Sequence, residues 1–233
     1  MTTKASLLSE IRTMLGSAVI PDLTSASAVS DIFEAYILSI LLQAAEKEGA
    51  TISYEDVSGN VPTTFVFRTS PAHIYSTTHP YTHAVIRFKR EEGVAPLEAH
   101  IGVRVAGKSN VLHECDIAVI DRLEAINCRR SSVSPRYTKL LLAVECKYYS
   151  GNLGIDLARS FLGLNTDLPT KDSYFVTNTS SDTVGQLIAH HNQSRRIQWE
   201  PNIVPISTKD VERLRGVFQG TFMHYKARSI NRK

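Results

Sequence analysis

Cysteine is scarce: three residues in 233, at positions 115, 128 and 146, are too few and too scattered to frame a disulfide scaffold. Long apolar runs are missing as well. The longest, Tyr36–Ala45, carries Ser39 and Gln43 and falls well short of the roughly 20 residues a bilayer crossing needs. No secretory signal is visible, so a cytoplasmic protein without a membrane partner is expected. Nor does charge of one sign dominate, since 26 Lys and Arg face 23 Asp and Glu for a net +3. A global polycationic surface is thereby excluded, and any contact with nucleic acid must come from local patches. Glycine-rich phosphate loops, a G-x-S-x-G elbow and four-cysteine spacing are all absent, which removes the common versions of several other α/β enzymes. Repeats, low-complexity tracts and a clear interdomain linker are lacking too. A chain of this length can bury a sizeable core as one domain, here taken as residues 1–233.

What is present centres on His113–Tyr149. It begins HECDIAVID and ends KLLLAVECKYY. Leu140–Val144 is a continuous apolar run, the mark of a strand buried on both faces of a covered sheet. The run ends in Glu145-Cys146-Lys147. Side chains alternate along a strand, so Glu145 and Lys147 point to one face and Val144 and Cys146 to the other. Upstream, Asp116 precedes a second buried run, Ile117–Ile120. If the two strands are neighbours, two carboxylates and one ammonium meet at their ends. Ionised groups resist burial unless paired or bound to a metal. Two carboxylates with a single lysine make a seat for a divalent cation that prefers oxygen ligands.

An acidic residue on one strand and a D/E-x-K triplet closing its neighbour resemble the PD-(D/E)xK, or restriction-endonuclease-like, nuclease superfamily. Cys115 stands where that motif has proline, and the resemblance covers roughly residues 98–165. It implies an α/β fold with a restriction-endonuclease-like core, a central mixed β-sheet flanked by helices on both faces. It also implies a metal-dependent endonuclease that hydrolyses DNA phosphodiester bonds, in restriction or phage defence. Asp116 and Glu145 would hold Mg²⁺, with Mn²⁺ as a substitute, and the backbone carbonyl of Cys146 would add a ligand. Lys147 would orient the attacking water and stabilise developing charge. Nucleases of this kind often carry an early helical glutamate that reaches the metal, and Glu34 is the matching residue. A favourable glutamate in a first helical turn is the plainer alternative. The rival to the enzymatic reading is a catalytically silent nuclease-fold subunit that binds nucleic acid or a protein partner. Cutting both strands of a duplex would favour a homodimer or another homo-oligomer.

On the N-terminal flank, Leu7, Leu8, Ile11, Met14 and Leu15 predict a first helix, and Asp31–Gly49 a second, capped by Ser30. Residues 50–97 are an elaboration with short strands at Thr64–Arg68 and Ala84–Lys89. Their intervening loop, with Arg87, Lys89 and Arg90 near, suits substrate or partner contact. His79-x-x-x-His83 suggests a metal pair only weakly, because Pro80 opposes the helix it would need. Residues 98–121 read as a β-hairpin carrying Asp116 on its second arm, within a catalytic core spanning 98–206. Asn127–Tyr137 reads as a loop whose Arg129, Arg130 and Arg136 could hold phosphates. A helix over Leu153–Leu164, a strand over Ser173–Asn178, a helix over Thr183–His191 and a strand over Ile203–Ile206 complete the core. A last helix starts at Ser207 and leads into a basic tail holding Lys226, Arg228, Arg232 and Lys233.

Overall fold

The computed structural model describes residues 3–17, 19–89, 93–192 and 197–230. It is an α/β protein built on a seven-stranded mixed sheet. The sheet runs β2 (Thr51–Asp56), β4 (Thr82–Arg87), β5 (Leu97–Ala106), β6 (Leu112–Asp121), β7 (Leu140–Lys147), β8 (Asp172–Thr177) and β9 (Ile197–Glu200), in that spatial order. Neighbours from β2 through β7 pair antiparallel, and β7–β8 and β8–β9 pair parallel. Parallel pairs need crossovers. Helices α4 (Ile155–Asp167) and α5 (Asp182–His191) supply them. A short parallel pair, β1 (Ile20–Pro21) with β3 (Thr64–Phe65), stands apart.

Two apolar layers sandwich the sheet. Helices α1 (Lys4–Leu15), α2 (Val29–Lys47) and α6 (Thr208–Ile230) share one core with Leu97, Ala99, Ile117, Val119, Leu142 and Val144. Helix α2 is apolar nearly all round because it is wrapped by α1, α6 and the sheet. Helix α3 (Arg122–Ser131) and the C-terminal end of α4 close a second core over Val103, Cys115, Ala118 and Ile120. A third lies between α4, α5 and Phe175.

Several sequence expectations need correction. Segment 50–97 does more than decorate the core, since it supplies β2 and β4 to the main sheet. The first part of the stretch read as an arginine loop, with Arg129 and Arg130, belongs to α3, while Arg136 lies beyond it; the helix is held at its start by Asp121, whose Oδ1 accepts the Glu124 N–H at 3.0 Å. The last strand is Ile197–Glu200, and Ile203–Ile206 carries no strand pairing. Helix α2 starts at Val29 after Ala28, with no side-chain cap. Glu34 therefore sits in the second turn, where the dipole argument for a first-turn glutamate weakens. The tail helix continues through Ile230. Arg90, Arg232 and Lys233 lie outside the described residues. Among the described residues no helix is long and apolar enough to cross a membrane.

Candidate active site

Strands β6 and β7 pair as far as Ile117↔Val144. Strand β7 then runs on beside β8 to Lys147↔Thr177. Asp116 and Glu145 are the first residues past the end of that β6–β7 ladder. Here the strands part, and a buried backbone N–H without a ladder partner must find another acceptor. The Cys146 N–H donates to Asp116 Oδ2 at 2.7 Å. Lys147 Nζ lies 3.3 Å from the same oxygen and 2.6 Å from Glu145 Oε1. Thus the acid of one strand and the triplet of the next converge as the sequence predicts, and Lys147 turns inward between the two carboxylates.

The side chains reach this point from different sides. Cys146 packs with Val144 in the α2 core. Glu145 lies across the sheet, lining a small cavity with Phe161, Leu164 and Asn165 of α4. Glu34, on α2, is near enough to feel the charge of Asp116 and Lys147. Burial raises its carboxyl pKa, and the negative charges of Asp116, Asp31 and Glu114 add to the rise, while Lys147 opposes it; the result is about 9. Burial also raises Glu145, with Asp116 adding and Lys147 opposing, up to about 7. Glu114, more exposed, is raised by burial and by Asp116. For Lys147 burial acts downward, but Asp116 and Glu145 outweigh it and hold the ammonium above its ordinary value. It is charged at any physiological pH. Cys115 and Cys146 are pushed upward by burial first, then by the surrounding carboxylates, so neither thiol is a nucleophile near neutrality.

Asp116 and Glu145 thus face one ammonium, and Glu34 feels the charge of Asp116 and Lys147. Glu34 and Glu145 resist ionisation because they are buried, with the charge of Asp116 adding to the effect.

The predicted phosphate contacts divide. Arg129 turns onto the sheet and grips Glu98 through both guanidinium nitrogens, at 2.7 and 2.8 Å. That guanidinium is engaged inside the fold. Arg130 and Arg136 are exposed. Arg159 forms a surface pair with Asp156.

Sequence reasoning missed the acceptor of Arg129. Glu98 and His100 share a face of β5, and His83 sits opposite His100 on β4. His100 Nε2 lies 2.9 Å and His83 Nε2 3.4 Å from Glu98 Oε2, and the two rings stack at 4.7 Å. Burial holds His100 down at about 3, and the hydrogen bonds from Arg129 and His100, with the His83 ring beside them, outweigh burial to keep Glu98 well below the carboxylate range. The three side chains could hold a metal ion. Two imidazoles and a carboxylate favour a zinc-like ion over magnesium. Arg129 and Arg122 already neutralise Glu98. The signal was the alternation Glu98-x-His100 on a strand, legible only once His83 was known to lie alongside.

A scan against protein-family models matched none, and searches of curated proteins and of solved structures returned no match.

Proposed function

We propose that this chain is a metal-dependent endonuclease of the restriction-endonuclease-like kind, cleaving phosphodiester bonds in DNA. The observation that carries the proposal is the junction of Asp116, Glu145 and Lys147 at the fork between β6 and β7, with Lys147 Nζ 3.3 Å from Asp116 and 2.6 Å from Glu145. Glu34, from a helix some eighty residues earlier, feels the same charges. A structural ion pair would be complete with one carboxylate. This site gathers more acid than its lysine can balance, which favours a bound cation.

Asp116, Glu145 and the Cys146 carbonyl would hold Mg²⁺ or Mn²⁺, with Glu34 as a further ligand directly or through water. When bound, the ion lowers the pKa of water and draws charge from the phosphoryl oxygens. The chain's own residues do the rest. Asp116 is fixed by the Cys146 N–H, so its free oxygen keeps one orientation. Lys147 is an ammonium flanked by two carboxylates, which makes it a poor base. Its role is to orient the attacking water and to stabilise negative charge on the phosphate as it builds up. Exposed Arg130 and Arg136 would meet backbone phosphates further along the duplex. A role in restriction or phage defence, as a homodimer or other homo-oligomer, extends the proposal.

Purified protein should nick or linearise plasmid DNA with Mg²⁺ or Mn²⁺, fall silent with EDTA, and stay silent as Lys147→Ala. Cleavage that ignores EDTA or survives the substitution would sink the reading.

A further inference from the structure

Strands β5 and β6 pair in register from Leu97↔Asp121 to Ile101↔Ile117 and again from Val103↔Cys115 onward, passing over one rung. That rung is Gly102 opposite Asp116. Residues two apart on a regular strand share a face. Here they do not. Ala99, Ile101, Ile117 and Val119 belong to the α2 core, whereas Val103, Val105 and Cys115 belong to the α3 core. Both strands therefore reverse their facing at this rung.

Gly102 has φ +57°, the left-handed region that side chains rarely enter. Beyond it β5 takes a new neighbour on the side away from β6. The Ala72 N–H donates to the Gly102 carbonyl and the Arg104 N–H to the Ala72 carbonyl, each at 3.0 Å. Space is closed as well. A Cβ at position 102 would stand 3.0 Å from Cβ of buried Arg68 and 3.4 Å from its carbonyl oxygen. Conformation and room both require glycine.

We infer that Gly102 is a positioning residue for Asp116. By reversing both strands at their shared rung, it frees the carboxylate from either face and directs it into the gap where it meets the Cys146 N–H and Lys147. The functional consequence rests on the nuclease reading, but the geometric claim does not.

The test compares full-length wild type, Gly102→Ala, Asp116→Ala and the control Gly49→Ala. Gly49 also has positive φ, at +85°, with open space around its Cβ and a place at the far end of α2. Two readouts are taken: amide hydrogen exchange at Cys146, and Mn²⁺ affinity by electron paramagnetic resonance. Gly102→Ala should accelerate Cys146 exchange by roughly tenfold or more, as Asp116→Ala does, with Val144 unchanged, because the lost acceptor is charged. Its Mn²⁺ affinity should drop by a similar factor. Gly49→Ala should lower thermal stability yet leave both readouts at wild-type values. If Gly102→Ala does not fold, Gly102→Asn is read the same way, since Asn tolerates this region best.

Cys146 exchange in a folded Gly102 variant as slow as in wild type overturns the inference. So does failure of both Gly102 variants to fold while Gly49→Ala folds, which would make Gly102 purely structural. Wild type that binds no Mn²⁺ would instead defeat the nuclease reading, and Cys146 exchange would still decide the role of Gly102.

Discussion

Lys147 Nζ rests 3.3 Å from Asp116 Oδ2, a contact between residues 31 apart in the chain. It forms at the place where the β6–β7 ladder ends, so the lysine is held between two acids without being sealed from solvent. Its side chain keeps 28% of its exposure, against 9% for Asp116. The ammonium is open to an anion from solvent while the carboxylate stays fixed beneath it.

Removal of that ammonium should cost far more activity than stability. Lys147→Ala is expected to lower Mg²⁺-dependent plasmid cleavage by about 10²–10³-fold, the scale of losing one preorganised charge-stabilising donor. Its circular dichroism spectrum should match wild type. Asp116→Asn should abolish cleavage and weaken Mn²⁺ binding together.

Metal affinity should climb with pH. Glu145 and Glu34 must lose protons to bind a cation, and in the metal-free protein they do so near about 7 and about 9. Isothermal titration with Mn²⁺ should show affinity rising from pH 6 to pH 9, with net proton release that shrinks as pH rises. Affinity flat across this range would contradict the assignment of both ligands.

The same two carboxyls should make the metal-free protein less stable as pH rises. Their folded pKa values lie above the unfolded ones, so between about 4.5 and 9 the native state binds more protons than the unfolded chain. Stability must therefore decline with pH through that window. Glu34→Gln removes the larger of the two effects. At pH 8 without metal it should raise Tm by about 2–6 °C, while weakening Mn²⁺ binding. Differential scanning calorimetry with and without EDTA would read both.

The arginines of residues 127–137 should separate into two kinds. Arg129→Ala leaves Glu98 buried without its bidentate partner and should destabilise the fold by about 3–5 kcal/mol in urea titrations. Arg130→Ala and Arg136→Ala should shift stability by less than about 0.5 kcal/mol. In DNA-binding assays they should instead flatten the salt dependence, by roughly one unit of log–log slope for each phosphate left without its arginine.

Local chemistry made much of this protein legible in its sequence. Apolar run, acid and E-x-K triplet specified β6, β7 and the residues at their ends, because alternation and burial act within a few residues. The hairpin that carries Asp116 on its second arm was legible for the same reason. Helix α3 was not. Its apolar face amounts to Ala125 and Cys128, and most of its length is polar, so only docking on β5 and β6 makes it worth forming. Strand β4 was legible as the run Ala84–Lys89, but β2 was obscured by the irregular stretch between them, since nothing in that stretch announces that both return to one sheet.

By itself the sequence determined which charged side chains stand at the ends of β6 and β7 and which of them share a strand. Spacing along one strand is a local property. The tertiary structure alone decided that Glu34 feels the charge of Asp116, that Arg129 turns its charge onto Glu98, and that Gly102 stands opposite Asp116. Each of these joins residues on different elements, and such a meeting is fixed by sheet register and helix packing, which no local spacing encodes.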